Sequence, residues 1–67
     1  MKNPILQFKE EKSISLYKMA RDLNIHLNTI YRLAYKTPEE MSRVDIGMMN
    51  KFKEKYDINL AEYAESK

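Results

Sequence analysis

Two short apolar stripes, separated by only a few residues, constrain this chain more than any other feature of its sequence. Leu16, Met19, Ala20 and Leu23 recur at the i, i+3, i+4, i+7 spacing of one helix face. Ile30, Leu33 and Ala34 repeat the pattern further on, within a helix expected from about Leu27 to Lys36. Ser15 is a good N-cap for the first of these helices. Asn24 tolerates the left-handed backbone that ends helices, and Ile25 is an apolar residue able to pack back on the preceding turn. A connection of about three residues cannot hold two helices end to end, so they pack at a steep angle, the geometry of a helix-turn-helix over about residues 15–36.

The flanking segments read as helices too. Asn3 and Pro4 open a helix over about residues 4–12 that carries Ile5, Leu6 and Phe8. Thr37-Pro38 closes the helix that begins near Leu27, because the residue before proline is pushed away from helical angles, and a polar loop is expected from Glu39 to Val44. Asp45 caps a helix over about residues 46–56 with Met49, Phe52 and Tyr56 inward, although Gly47 weakens its first turn. Asp57-Ile58-Asn59 is a short turn before a final helical turn, Leu60 to Ala64, that gives Leu60 and Tyr63 to the core. The expected architecture is all-α, with about four or five helices packed together.

A length of 67 residues leaves room for one domain, read here as 1–67. With no cysteine and one histidine, neither a disulfide nor a metal cluster is expected, and no cofactor is implied. The single glycine excludes a Gly-rich phosphate loop. Glu10-Glu11 and Glu39-Glu40 are adjacent pairs whose side chains diverge, with no nucleophile or histidine beside them, so the chain is not read as an enzyme. No apolar run is long enough to span a membrane, and Met1-Lys2-Asn3-Pro4 lacks the apolar stretch of a signal peptide, so a cytoplasmic protein is expected. Of the five methionines, Met19 and Met49 fall on core stripes and Met1 is the initiator, leaving only Met41 and Met48 for a partner surface.

The net charge of +2 says little by itself, but its distribution is informative. From residue 12 to residue 36, Lys12, Lys18, Arg21, Arg32 and Lys36 face one acid, Asp22, while residues 37–67 carry the compensating negative excess. No carboxylate at all lies between Leu23 and Pro38. A surface that meets nucleic-acid phosphates wants this absence, since lysine and arginine release counterions there and an acid is repelled.

The run Ile14-Ser15-Leu16-Tyr17-Lys18-Met19-Ala20-Arg21-Asp22-Leu23-Asn24-Ile25-His26-Leu27-Asn28-Thr29-Ile30-Tyr31-Arg32-Leu33 resembles the helix-turn-helix of lambda-repressor-like (XRE, Cro/cI-type) DNA-binding proteins. Phe8-Lys9-Glu10-Glu11-Lys12 is similar to the end of that family's first helix. Met49, Phe52, Tyr56, Ile58, Leu60 and Tyr63 imitate the spacing of its closing elements, so the resemblance spans about residues 5–64. Ser15 stands where the family has its capping Ser/Thr, and Ala20 where a small residue lets the helices approach. Leu16 takes the place of a common phosphate-contacting glutamine, Asn24 that of the turn glycine, and His26 that of a capping serine. Ala34-Tyr35-Lys36 replaces the Glu-Asn-Gly that often ends the recognition helix.

The resemblance implies base contacts in the major groove from Leu27, Asn28, Tyr31 and Arg32, with Asn28 suited to adenine, Arg32 to guanine and Leu27 to a thymine methyl. It implies phosphate contacts from Ser15, His26, Thr29, Lys36, Thr37 and Arg43. Lys18 and Arg21, on the outer side of their helix, are expected to attract DNA at longer range. The expected function is a sequence-specific regulator of transcription that binds double-stranded DNA, a repressor acting by promoter occlusion, with no small-molecule effector evident. One recognition helix reads few base pairs, so a homodimer on an inverted-repeat operator is expected, meeting through Tyr56, Leu60 and Tyr63. The alternative is a helix-turn-helix-derived protein-interaction module, such as an antirepressor or antitoxin-like component, using a patch of Leu16, Leu27, Tyr31 and Tyr35.

Overall fold

Six helices follow one another in the computed structural model, which describes residues 2–66: α1 (Pro4–Lys12), α2 (Leu16–Leu23), α3 (Leu27–Ala34), α4 (Pro38–Met41), α5 (Ile46–Tyr56) and α6 (Leu60–Glu65). Met1 and Lys67, the two ends of the unit expected from the sequence, lie outside the described residues. Among the described residues there is no strand, and no helix is long and apolar enough to cross a membrane.

Three helix ends share one device. Ser13, Asn24 and Asp57 follow α1, α2 and α5 with φ of 51°, 57° and 58°, the left-handed region that turns the chain out of a helix. Each is followed by an isoleucine whose N–H reaches back into the helix: Ile14 to the Lys9 carbonyl at 3.1 Å, Ile25 to Ala20 at 3.0 Å, Ile58 to Phe52 at 3.2 Å. The same three isoleucines fold back onto the apolar core, Ile58 being fully part of it. Each reversal thus joins hydrogen-bond closure to burial of a side chain.

The core gathers Ile5, Leu16, Met19, Ala20, Leu23, Ile30, Leu33, Ala34, Met41, Phe52, Ile58, Leu60, Tyr63 and Ala64. The inward stripes of α2 and α3 are the ones the spacing predicts. Small Ala20 and Ala34, both almost completely buried, let neighbouring backbones come close. Among the described residues Asn3 is the buried polar one: its Oδ1 accepts from the Ile5 N–H at 2.9 Å, capping α1, and its Nδ2 donates to the carbonyls of Leu33 at 2.9 Å and Lys36 at 3.1 Å. The Tyr63 hydroxyl donates to that same Lys36 carbonyl at 2.7 Å. The C-terminal end of α3 is therefore held from both ends of the chain.

Four sequence expectations are corrected here. The architecture holds six helices where about four or five were expected, and the polar loop placed at Glu39–Val44 begins instead with α4. Its start is a capping box: Thr37 Oγ1 accepts from the Glu40 N–H at 3.3 Å, and the Thr37 N–H donates to the Glu40 carboxylate at 2.9 Å, with Pro38 at the first helical position. This turn drives Met41 into the core at 0% exposure, so it is not available to a partner surface. The third helix stops at Ala34 rather than Lys36, because Tyr35 leaves helical angles (φ −111°, ψ 9°) to lead into the Thr37-Pro38 extension.

Candidate nucleic-acid interface

The outer face of α3 presents Leu27, Asn28, Tyr31 and Arg32, all four exposed, while Ile30, Leu33 and Ala34 fix the opposite face in the core. The sequence places these four together and the structure gives them one surface. The i, i+4 pairs Leu27/Tyr31 and Asn28/Arg32 form two parallel rows, one apolar and one hydrogen-bonding. Among the described residues, no hydrogen bond or ion pair engages the Asn28 side-chain carboxamide or the Arg32 guanidinium. The planar fork of Arg32 suits a guanine edge or a phosphate.

The start of α3 is capped by His26, whose Nδ1 accepts from the Asn28 N–H at a long 3.4 Å. Ser15 accepts from the Lys18 N–H at 3.1 Å through its Oγ, capping α2, and keeps its own hydroxyl proton for an outside acceptor. Thr29 is half-buried in the first turn of α3, its N–H donating to the His26 carbonyl at 3.0 Å.

The loop after α3 is arranged differently from the sequence reading. The Thr37 hydroxyl accepts from the Glu40 N–H and donates to the Glu40 carboxylate at 3.0 Å, so it is engaged in both senses and sits against a negative charge. These Thr37 hydrogen bonds, with the Lys36 and Arg43 charges nearby, hold the Glu40 carboxyl below its usual range. Arg43 pairs with Glu39 at 3.8 Å, but both side chains are largely exposed, and such a pair releases the arginine readily. Lys36 contributes its carbonyl to Asn3 and Tyr63, which orients its backbone.

Asp22, the single acid of the basic stretch, has its charge occupied locally. Its carboxylate accepts from the Tyr56 hydroxyl at 2.9 Å and pairs with Lys18 at 3.2 Å, and these contacts hold its carboxyl below the usual range. Burial, and then the Asp22 carboxylate, push the Tyr56 phenol up to about 12. The α3 face is thus left with cationic and neutral groups only.

A family model of the Cro/C1-type HTH DNA-binding domain matches residues 5–62. The chain belongs to that family. The Cro/C1-type domain accounts for all but the ends of the chain and implies binding to double-stranded DNA, and α2 and α3 both lie within the matched residues. The comparisons with curated proteins and with solved structures found no match.

Two expectations about partner surfaces do not survive the geometry. Leu60 and Tyr63 are 1% and 4% exposed, and the Tyr63 hydroxyl is held by Lys36, so neither offers a surface to a second copy. Tyr56 is half-buried between Phe8, whose ring centroid lies 4.8 Å away, and Asp22. Leu16 is 4% exposed and drops out of the patch with Leu27, Tyr31 and Tyr35. Conversely, Tyr17 and Ile46 are exposed and sequence reasoning passed over both. Tyr17 stands on α2 with the Arg21 guanidinium 5.8 Å above its ring, and the i, i+4 aromatic–arginine spacing was the signal for it.

Proposed function

We propose that this Cro/C1-type domain is a sequence-specific regulator of transcription, a repressor that excludes polymerase by occupying promoter DNA. The exposed, carboxylate-free face of α3 carries this reading: its unpaired Asn28 and Arg32 are hydrogen-bonding groups of the kind that read base edges. In this reading α3 enters the major groove, with Leu27, Asn28, Tyr31 and Arg32 toward the bases. Ser15, His26, Thr29, Lys36 and Arg43 hold phosphates on either side, and Lys18 and Arg21 add longer-range attraction. Thr37 has no part in it except through its backbone, because its hydroxyl serves Glu40. One α3 spans few base pairs, so two copies bind half-sites about one helical turn apart on an inverted repeat. The chain is read as one binding domain acting in the cytoplasm, without catalytic duty.

Selection of bound duplexes from a randomised DNA library at low salt, followed by sequencing, tests the proposal. An enriched inverted repeat is the expected result. If no duplex is enriched, the exposed Leu27, Tyr31 and Tyr35 would instead be assigned to a protein partner.

A further inference from the structure

We infer that Asn3 and Tyr63 are positioning residues for DNA binding: from opposite ends of the chain they fix the Lys36–Thr37 peptide, and so aim the Lys36 ammonium at a backbone phosphate beside α3. The inference rests on the DNA-binding reading above and adds to it two side chains that act only through Lys36. Lys36 stands two residues beyond Ala34, the last of α3, so the helix alone does not fix where its side chain starts. Its carbonyl accepts from the Asn3 Nδ2 at 3.1 Å and from the Tyr63 hydroxyl at 2.7 Å, which engages both lone pairs. The N–H of the same peptide unit, that of Thr37, donates to the Glu40 carboxylate at 2.9 Å. One peptide plane is thereby held by the cap of α1, by α6 and by α4 at once.

Solvation alone does not require this arrangement. Lys36 is half-buried, and a carbonyl past the end of a helix finds water readily, whereas the two side chains that serve it are 6% and 4% exposed. Packed side chains hold single rotamers, so the plane they fix is a rigid base for a long, flexible lysine stem. Ordering such a stem on a phosphate costs entropy, and a fixed starting point lowers that cost. Among the described residues, no hydrogen bond or ion pair engages the Lys36 ammonium, while the Glu40 carboxylate is engaged by the Thr37 N–H and hydroxyl. Lys36 and Arg32 are the two lysine or arginine cations of a stretch, Leu23 to Pro38, that holds no carboxylate, and an anion is the complement of that charge.

The test uses the full chain and the duplex that selection enriches, titrated at several salt concentrations and at a temperature where circular dichroism shows each variant folded. Tyr63→Phe removes the hydroxyl and keeps the buried ring, and Asn3→Ser removes the amide donor and keeps a capping oxygen. One phosphate contact strengthens binding about eightfold between about 1 M and about 0.1 M salt. Each variant should lose about half of that on a logarithmic scale, binding about threefold more weakly at about 0.1 M salt, with a shallower slope of log K against log salt and an unaltered base preference. Neither should weaken the Lys36→Ala chain further, because the group they position is gone. The inference is overturned if both variants keep the wild-type slope, or if they weaken the Lys36→Ala chain as much as they weaken the wild type. Either result leaves Asn3 and Tyr63 as supports of the fold alone and the DNA-binding reading standing. It is overturned as well if Lys36→Ala keeps the wild-type slope. Failure to enrich any duplex removes both readings together.

Discussion

The Tyr56 hydroxyl donates to the Asp22 carboxylate across 2.9 Å, fastening the last turn of α5 to the last turn of α2. Neither side chain lies on the exposed face of α3, yet their bond ties α2 to α5. The phenol is pushed from 10.0 to about 12 by burial and by Asp22. The unfolded phenol therefore ionises first, and the stability this bond contributes is complete below about pH 10 and lost as pH rises toward 12. Asp22 is shifted the other way, so its share is present above its ordinary 3.8 and is lost on acidification below that. Tyr56→Phe should lower Tm by about 4 °C at neutral pH, as expected for one net hydrogen bond in a small domain. The gap between wild type and variant should close above pH 10 and below pH 4. A gap constant from pH 4 to pH 12 would count against the bond.

Asn3 makes three hydrogen bonds while 6% exposed, one as the cap of α1 and two to the end of α3. Asn3→Ala removes the cap and leaves the Leu33 carbonyl buried without that donor, for a loss of about 2–3 kcal/mol. Asn3→Asp keeps the cap but replaces the donating amide with a carboxylate facing two carbonyls, so it should recover none of the loss on that side. Urea unfolding at neutral pH measures both. A loss under about 0.5 kcal/mol for Asn3→Ala would show that other groups hold the end of α3.

Ser13 adopts φ 51°, where a side chain is strained and glycine is not. Ser13→Gly should stabilise the fold by about 0.5–1 kcal/mol, the reverse of the usual effect of glycine. The Ser13 N–H bond to Glu10 and the Ile14 return to Lys9 are made by the backbone and persist in the variant. A drop in Tm would mean that the Ser13 hydroxyl has a duty this geometry does not reveal.

Met41 and Met48 look alike in sequence and differ in place. Met41 is 0% exposed under α4, whereas Met48 is half-buried at the core edge. Met41→Ala should therefore lose about 2–5 kcal/mol and Met48→Ala clearly less. Equal losses in denaturant unfolding would contradict the burial of α4.

Periodicity made α2 and α3 legible because four and three apolar residues respectively recur on one face, and packing had only one way to bury both. Asn24-Ile25 was readable as a terminator, but Ser13-Ile14 and Asp57-Ile58 use the same device with residues less suited to the left-handed region. α4 escaped because its four residues hold one apolar side chain, too few for any period. Its signal was Thr37-Pro38-Glu39-Glu40, a capping box with proline at the first position. The exposed face of α3 was legible as what remained once the core stripe was subtracted. The engagement of Thr37 by Glu40 is part of that same capping-box signal, whereas the packing of α4 on α6, which closes Leu60 and Tyr63 to a second copy, is encoded by no local pattern.

Arg32 and Lys36 separate reading from gripping. Arg32 lies in the polar row of α3 with its guanidinium unpaired, and Lys36 follows the helix end, where its backbone is fixed by Asn3 and Tyr63. If Arg32 meets a guanine edge, Arg32→Ala loses about 1–3 kcal/mol on the selected duplex and relaxes preference at one position. If Lys36 meets a phosphate, Lys36→Ala weakens binding to all duplexes alike and reduces the slope of log K against log salt by about 0.9. Titrations at several salt concentrations, on the selected duplex and on a scrambled one, distinguish these signatures. Arg32→Ala with an altered slope and an unaltered sequence preference would move Arg32 from the bases to the backbone.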